Sequence, residues 1–169
     1  TLKERTLPAL PAGSVSGMAF HPKTAELSFS VASAKGPGQI HTLNLANAQI
    51  AAWTQPYVPP ALASATFSEH QIVRWRSFDG LPISGLLNLP PARYTGKRPV
   101  LIAIHGGPEG QATVGFLNRN NYYINELGFA ILQPNVRGSS GFGKRFLSLD
   151  DGFKREDSVK DIGALLDWI

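Results

Sequence analysis

Five apolar residues in a row, Val100-Leu101-Ile102-Ala103-Ile104, run directly into His105-Gly106-Gly107-Pro108. A run this short, with Pro99 before it and glycines after it, predicts a strand buried on both faces of a covered sheet. The two glycines let the backbone turn tightly and bring bare N–H groups close to a ligand. One reading of such a loop is a donor to a developing oxyanion. The other is a strand-to-loop turn whose glycines only relieve crowding. The stretch alone leaves both open.

The rest of the chain is consistent with an α/β fold around such a strand. Phe129-Ala130-Ile131-Leu132-Gln133 reads as a second buried strand. Between the two, the pattern predicts a helix over 119–127, with Asn118 as its cap, Tyr123, Ile124 and Leu127 as its apolar face and Gly128 as its stop. Strand, helix and strand with short joints imply a parallel pair. Upstream, Gln71 to Ser77 and Pro82 to Leu89 flank Asp79-Gly80, a hairpin signal. Pro82 near the start of the second run suggests an edge position. Downstream, a short helix is expected over 144–149. Ser158-Val159-Lys160-Asp161 has capping-box spacing, and Val159, Ile162, Leu166 and Ile169 keep helical period after it.

Residues 1–65 read differently. Short alternating runs, 14–20, 26–32, 39–45 and 50–54, are separated by turn residues at 21–23, 35–38 and 46–49. Leu27, Phe29 and Val31 form the inward face of one run, and Ile40, Leu43 and Leu45 the apolar positions of the next. A four-strand meander cannot bury both faces by itself, which is how one propeller blade reads. No second copy follows it. Tyr57-Val58-Pro59-Pro60 opens an extended, semi-rigid linker, with a domain boundary near residue 66.

Composition narrows the function. At 43% hydrophobic and 17% charged, the 169 residues belong to a folding chain. The net charge of +4 comes from isolated pairs (Lys97-Arg98, Lys144-Arg145, Lys154-Arg155) and not from a basic stripe, which argues against nucleic acid as a partner. No stretch is apolar enough to span a membrane. With no cysteine, thiol nucleophiles, disulfides and Cys-based metal sites are excluded, and the compartment is left open. Thr1 to Arg5 is neither a leader nor a Met start and reads as the middle of a longer chain.

Candidate chemistry is sparse. Gly138-x4-Gly143-Lys144 approaches a phosphate-binding loop, but Arg145 stands where a Ser or Thr is needed and Pro134 to Arg137 separate it from its strand. His21 and His41 lack ligand partners at useful spacing. His105 is better suited to shaping its loop than to acting as a base. Ser139-Ser140 lies among glycines with the wrong spacing for a nucleophile elbow. Asp79 reads as a turn residue, Asp161 as a helix cap, and 150–157 as a solvated acidic loop, one member of which could pair with Arg137. No cofactor is implied.

Four segments in order, Ser77-Phe78-Asp79-Gly80, His105-Gly106-Gly107-Pro108, Gly128-Phe129-Ala130 and the string Pro134-Asn135-Val136-Arg137-Gly138-Ser139-Ser140-Gly141-Phe142-Gly143, resemble the prolyl oligopeptidase family of serine peptidases. The His-Gly-Gly-Pro form is most similar to its acylaminoacyl-peptidase branch. The resemblance implies the last blade or blades of a β-propeller with its linker over 1–65. Over 66–169 it implies the N-terminal part of an α/β-hydrolase catalytic domain. It implies hydrolysis of short or acylated peptides through an acyl-enzyme, with the N–H of Gly107 as an oxyanion donor and Gly106 permitting the turn. The family's nucleophilic Ser and its Asp and His fall beyond residue 169, so this chain alone is expected to be inactive. Its expected partners are a peptide substrate and the remainder of the catalytic domain and propeller, on the same or a second polypeptide, with homo-oligomerisation also open. Two rivals stand beside this reading. One is a carboxylesterase or lipase, which often carries His-Gly-Gly-Gly where Pro108 stands here. The other is a non-catalytic scaffold made from a degenerate hydrolase.

Overall fold

The computed structural model describes residues 4–57, 59–62, 65–107 and 109–169, with the side chain of Ala61 excepted. Val58 of the expected linker, Pro108 of the His-Gly-Gly-Pro stretch and the first three residues lie outside the described residues. The chain divides into two compact units, Thr1–Phe67 with Val114–Asn118, and Ser68–Thr113 with Arg119–Ile169.

The first unit is a four-stranded antiparallel meander of β1 (Ser14–Phe20), β2 (Glu26–Ser33), β3 (Gly36–Asn44) and β4 (Gln49–Ala52), paired in chain order. Its core is Phe29, Val31 and Leu43, with Leu45 and Ile50 packed against it. Alternation places His41 on the same side, stacked on Phe29 at 5.7 Å between ring centroids. Ile40 therefore points the other way, opposite Ser30, and is exposed, so the apolar positions of this run do not share one face. The turn between β2 and β3 is at Ala34-Lys35; Gly36, Pro37 and Gly38 belong to the strand rather than to the expected turn. Met18, Phe20 and Trp53 are exposed. Pro60–Leu62 forms a single 3-10 turn, so the proline segment is not extended throughout.

The second unit holds a mixed sheet of β5 (Gln71–Arg76), β6 (Pro82–Asn88), β7 (Val100–Ile102) and β8 (Ala130–Asn135), in the order β5-β6-β8-β7. The Asp79-Gly80 turn joins β5 to β6, with Gly80 at φ +82° and the Ser77 N–H bonded to Leu81 O at 2.9 Å. β7 and β8 run parallel, as the strand-helix-strand pattern requires. Two expectations are corrected. β6 is paired on both sides, by β5 and β8, so Pro82 begins an interior strand, where only its first position lacks an N–H. β7 is only three residues long, half-buried and, among the described residues, bonded to β8 alone, so the most apolar run in the chain forms an edge there.

Three helices accompany this sheet among the described residues: α1 (Asn120–Asn125), α2 (Lys144–Leu147) and α3 (Asp157–Trp168). α1 is shorter than expected. Arg119 occupies its N-cap position without a side-chain cap, and Asn118 sits at φ +48° with its amide on Phe116 O. Ile124 is fully buried, whereas Tyr123 and Leu127 are substantially exposed; Gly128 at φ +67° ends the segment as expected. α3 starts before the expected capping box. Ser158 Oγ donates to Arg155 O at 2.8 Å, and the face turned inward is Ser158, Asp161 and Leu165. Leu165 joins Trp75, Ile83 and Leu132 in the core, while Val159, Leu166 and Ile169 are exposed.

Candidate functional site

Leaving β7, the chain enters the loop 105–112. Gly107 stands at φ +122°, a conformation closed to side-chain-bearing residues, and a Cβ there would collide with the Glu109 N–H. Gly106 is open to solvent, with nothing within 4 Å of where its Cβ would be. Gly110 matters for closeness, because a Cβ on it would lie 2.9 Å from Gly106 O and 3.1 Å from His105 Nδ1.

The string 134–143 holds this loop along its length. Ala112 and the Asn135 side chain exchange two hydrogen bonds, N–H to Oδ1 at 2.8 Å and Nδ2 to the Ala112 carbonyl at 3.1 Å. The Ser140 N–H donates to Gly110 O at 2.9 Å. His105 Nε2 lies 3.1 Å from Ser139 Oγ, and its Nδ1 lies 3.1 Å from Gly106 O. Gly106 O and the Gly107 N–H share one rigid peptide plane and point in opposite directions, so a contact on the carbonyl aims the N–H.

Ser139 and His105 are hydrogen-bonded, yet they do not form a nucleophile-base pair. With its proton on Nδ1, His105 donates to Gly106 O and presents Nε2 as an acceptor; the one Ser139 proton then has two acceptors in reach, His105 Nε2 at 3.1 Å and the nearer Val136 O at 2.6 Å. Ser139 is also fully buried. Both residues shape the loop.

Arg137 is the centre of a buried charge cluster. Its Nε and Nη2 grip the Asp161 carboxylate at 2.8–3.1 Å, and its two terminal nitrogens grip Asp79 at 2.9 and 3.0 Å. Asp161 also accepts the Arg137 backbone N–H at 2.8 Å and the Ser77 hydroxyl. Burial pulls the Arg137 pKa down, but the hydrogen bonds and charges of Asp161 and Asp79 together outweigh it, and its pKa is raised. The Arg137 hydrogen bonds hold the Asp79 carboxyl below its usual range despite some desolvation. Phe78 covers the guanidinium at 4.7 Å. The β5–β6 turn, the 134–143 string and α3 are thus tied to one side chain.

Asp161 is therefore not a helix cap, and Asp79 is more than a turn residue. Of the acidic stretch 150–157, only Asp157 approaches Arg137, at 3.9 Å. Asp150 is not solvated: it is 1% exposed and seated where a Cβ on Gly138 would be. A carboxylate in that place, and a Gly138 N–H already spent on Phe146 O, leave no phosphate cradle in the glycine string. His21 Nδ1 accepts the Lys23 N–H, a turn contact. Groups of three or more metal-ligating side chains are absent among the described residues. The carboxylate-lined seat of Arg137 was missed because Asp79 and Asp161 lie 82 positions apart in sequence, each beside a local pattern that explained it.

No family model matches this chain. Curated relatives do. The chain is 30% identical over 114 residues to dipeptidyl peptidase family member 6 of Caenorhabditis elegans, a match covering 55% of this chain and 15% of that protein. It is 39% identical over 54 residues to dipeptidyl aminopeptidase BIII of Pseudoxanthomonas mexicana, covering 32% of this chain and 8% of that protein. It is 31% identical over 72 residues to acylamino-acid-releasing enzyme 2 of Oryza sativa subsp. japonica, covering 43% and 9%. The matched regions are thus a small part of each relative. In fold, a structure from work on two prolyl endopeptidases superposes at TM-score 0.80 and 17% identity, covering 97% of this chain and 24% of that one. Puromycin hydrolase superposes at 0.75 and 21% identity, covering 93% and 24%. Pyrococcus horikoshii acylaminoacyl peptidase superposes at 0.69 and 21%, covering 95% and 25%.

Proposed function

We propose, from curated and structural relatives that point to the prolyl oligopeptidase family of peptidase hydrolases, that this chain is a portion of a serine peptidase acting on short or acylated peptides. In this reading residues 1–65 are the end of a β-propeller with its linker, and 66–169 open the α/β-hydrolase domain. Gly107 supplies one oxyanion donor through its N–H, and Gly106 permits the turn.

The observation that carries this reading is Gly107 at φ +122° in the loop that follows β7. That loop is hydrogen-bonded to the glycine string at Asn135, Ser139 and Ser140. Acyl transfer puts negative charge on the substrate carbonyl oxygen as a serine oxygen bonds to its carbon. A donor already held in place stabilises that charge without reorganising. The serine, its histidine base and the orienting aspartate come from outside residues 1–169, as the family resemblance implies.

The test is fluorophosphonate labelling of the longer protein, or of this chain mixed with the remaining polypeptide, followed by hydrolysis of peptidyl 4-nitroanilides. Labelling with peptidase turnover supports the reading. Esterase turnover without peptidase turnover favours a carboxylesterase, and absence of labelling overturns the reading.

A further inference from the structure

We infer that Arg155 is a positioning residue for the Gly107 donor, acting through the Gly107 carbonyl and anchored by buried Asp150. The inference rests on the peptidase reading above.

A glycine is the residue least able to hold its own conformation. Gly107 is fixed only if both peptide planes flanking its Cα are held. His105 Nδ1 meets the plane before it, at Gly106 O. Arg155 meets the plane after it, for its Nη2 donates to Gly107 O. With both carbonyls engaged, φ and ψ of Gly107 have little freedom left.

Arg155 is itself anchored. Its Nη1 donates to Asp150 Oδ2 at 2.9 Å, and the Asp150 side chain is 2% exposed. Asp150 is held in turn against Gly138, where even a methyl group would displace it. A continuous line of contacts therefore runs from Gly138 in the glycine string through Asp150 and Arg155 to Gly107. The planar guanidinium fork lets one side chain serve two acceptors with two separate nitrogens, and an ammonium does this less well. The guanidinium is directed at the loop carbonyl, not at the place where substrate charge develops. Its effect on catalysis is thus indirect.

The experiment uses the full-length peptidase, as wild type, Arg155→Ala and Arg155→Lys, with dipeptidyl and N-acetylaminoacyl 4-nitroanilides and the melting temperature of each variant. Arg155→Ala is expected to lower kcat about tenfold with KM little changed, short of the roughly 10²–10³-fold cost of removing an oxyanion donor outright. Millimolar guanidinium is expected to restore part of that loss, and Arg155→Lys to lie between alanine and wild type. If Arg155→Ala does not fold, Arg155→Lys decides: a lower kcat at an unchanged melting temperature supports the inference. Wild-type kcat in a folded variant overturns it, as does a loss in KM alone. A wild-type protein that neither labels with fluorophosphonate nor cleaves any of these substrates removes the peptidase reading and this inference together. An active wild type with an unaffected variant removes only this inference.

Discussion

Arg137 and Asp161 form an ion pair whose side chains are 4% and 0% exposed, and the carboxylate takes four further contacts, two from the guanidinium Nε, one from the Arg137 backbone N–H and one from Ser77. Removing one partner of such a pair leaves an uncompensated buried charge. Asp161→Asn is therefore expected to lower unfolding free energy by about 3–5 kcal/mol. Urea denaturation checks this through the midpoint at constant slope. A change within error would mean that Asp79 alone suffices to hold Arg137.

Asp79 gives the same cluster a pH signature. Its folded pKa is lowered, chiefly by the Arg137 hydrogen bonds, from the ordinary value of 3.8. A carboxylate depressed in the folded state adds stability that is complete above its unfolded pKa and is lost as pH falls through the folded one. The acid limb of a stability-pH curve below about pH 4 is thus expected to be shallower in Asp79→Asn than in wild type. Identical limbs would show that the Asp79 contact is not made in solution. Its side chain is 41% exposed, so solvent screening keeps the effect modest.

Leu165 tests how α3 is held. It is fully buried in one cluster with Trp75, Ile83 and Leu132, and Trp75 also donates its indole N–H to the Asp161 carbonyl at 3.3 Å. Leu165→Ala is expected to cost about 2–5 kcal/mol through the cavity it leaves. Trp75 and Trp168 lie 6.1 Å apart, so tryptophan emission should shift on the same transition. A loss below 1 kcal/mol would mean that α3 packs differently.

The local patterns in the sequence carried the strands well. Period-two alternation found β2 and β3, Asp79-Gly80 found the β5–β6 turn, and the strand-helix-strand rhythm found the parallel β7–β8 pair. Besides local misreadings such as the Asn118 cap and the 35–38 turn, what failed was the placing of charged side chains whose partners lie far away in sequence. Val100 to Ile102 looks fully buried because its composition is that of an interior strand, yet among the described residues only β8 pairs with it and it is half-buried. Ser158 and Asp161 have the spacing of a cap, but the helix begins at Asp157 and Asp161 is drawn to Arg137 instead. The inward face of α3 is consequently partly polar, and Val159, Leu166 and Ile169 face out while Ile162 is half-buried. At the candidate site, the positive φ of Gly107 was legible because backbone freedom is a local property. The Asp150–Arg155–Gly107 contacts were not, because they join loops whose approach depends on the whole unit.

The apolar surface of the second unit supports the last prediction. Among the described residues β7 pairs on one side only, with β8, and Ile104 beyond it is 54% exposed. On α3, Val159 and Leu166 lie seven positions apart on one face and are 65% and 61% exposed. An unpaired strand edge templates pairing with another chain, and an apolar helix face drives burial against one. The 169-residue chain on its own is expected to self-associate at micromolar concentration in size-exclusion chromatography with light scattering. Ile104→Lys should weaken the association if the strand edge drives it, and Val159→Glu with Leu166→Glu if the helix face does. Which substitution restores a monomer identifies the surface that another polypeptide segment would cover. A wild-type chain that is monodisperse and melts cooperatively as a monomer would show that neither surface needs a partner, and would favour the scaffold reading over a portion of a larger peptidase.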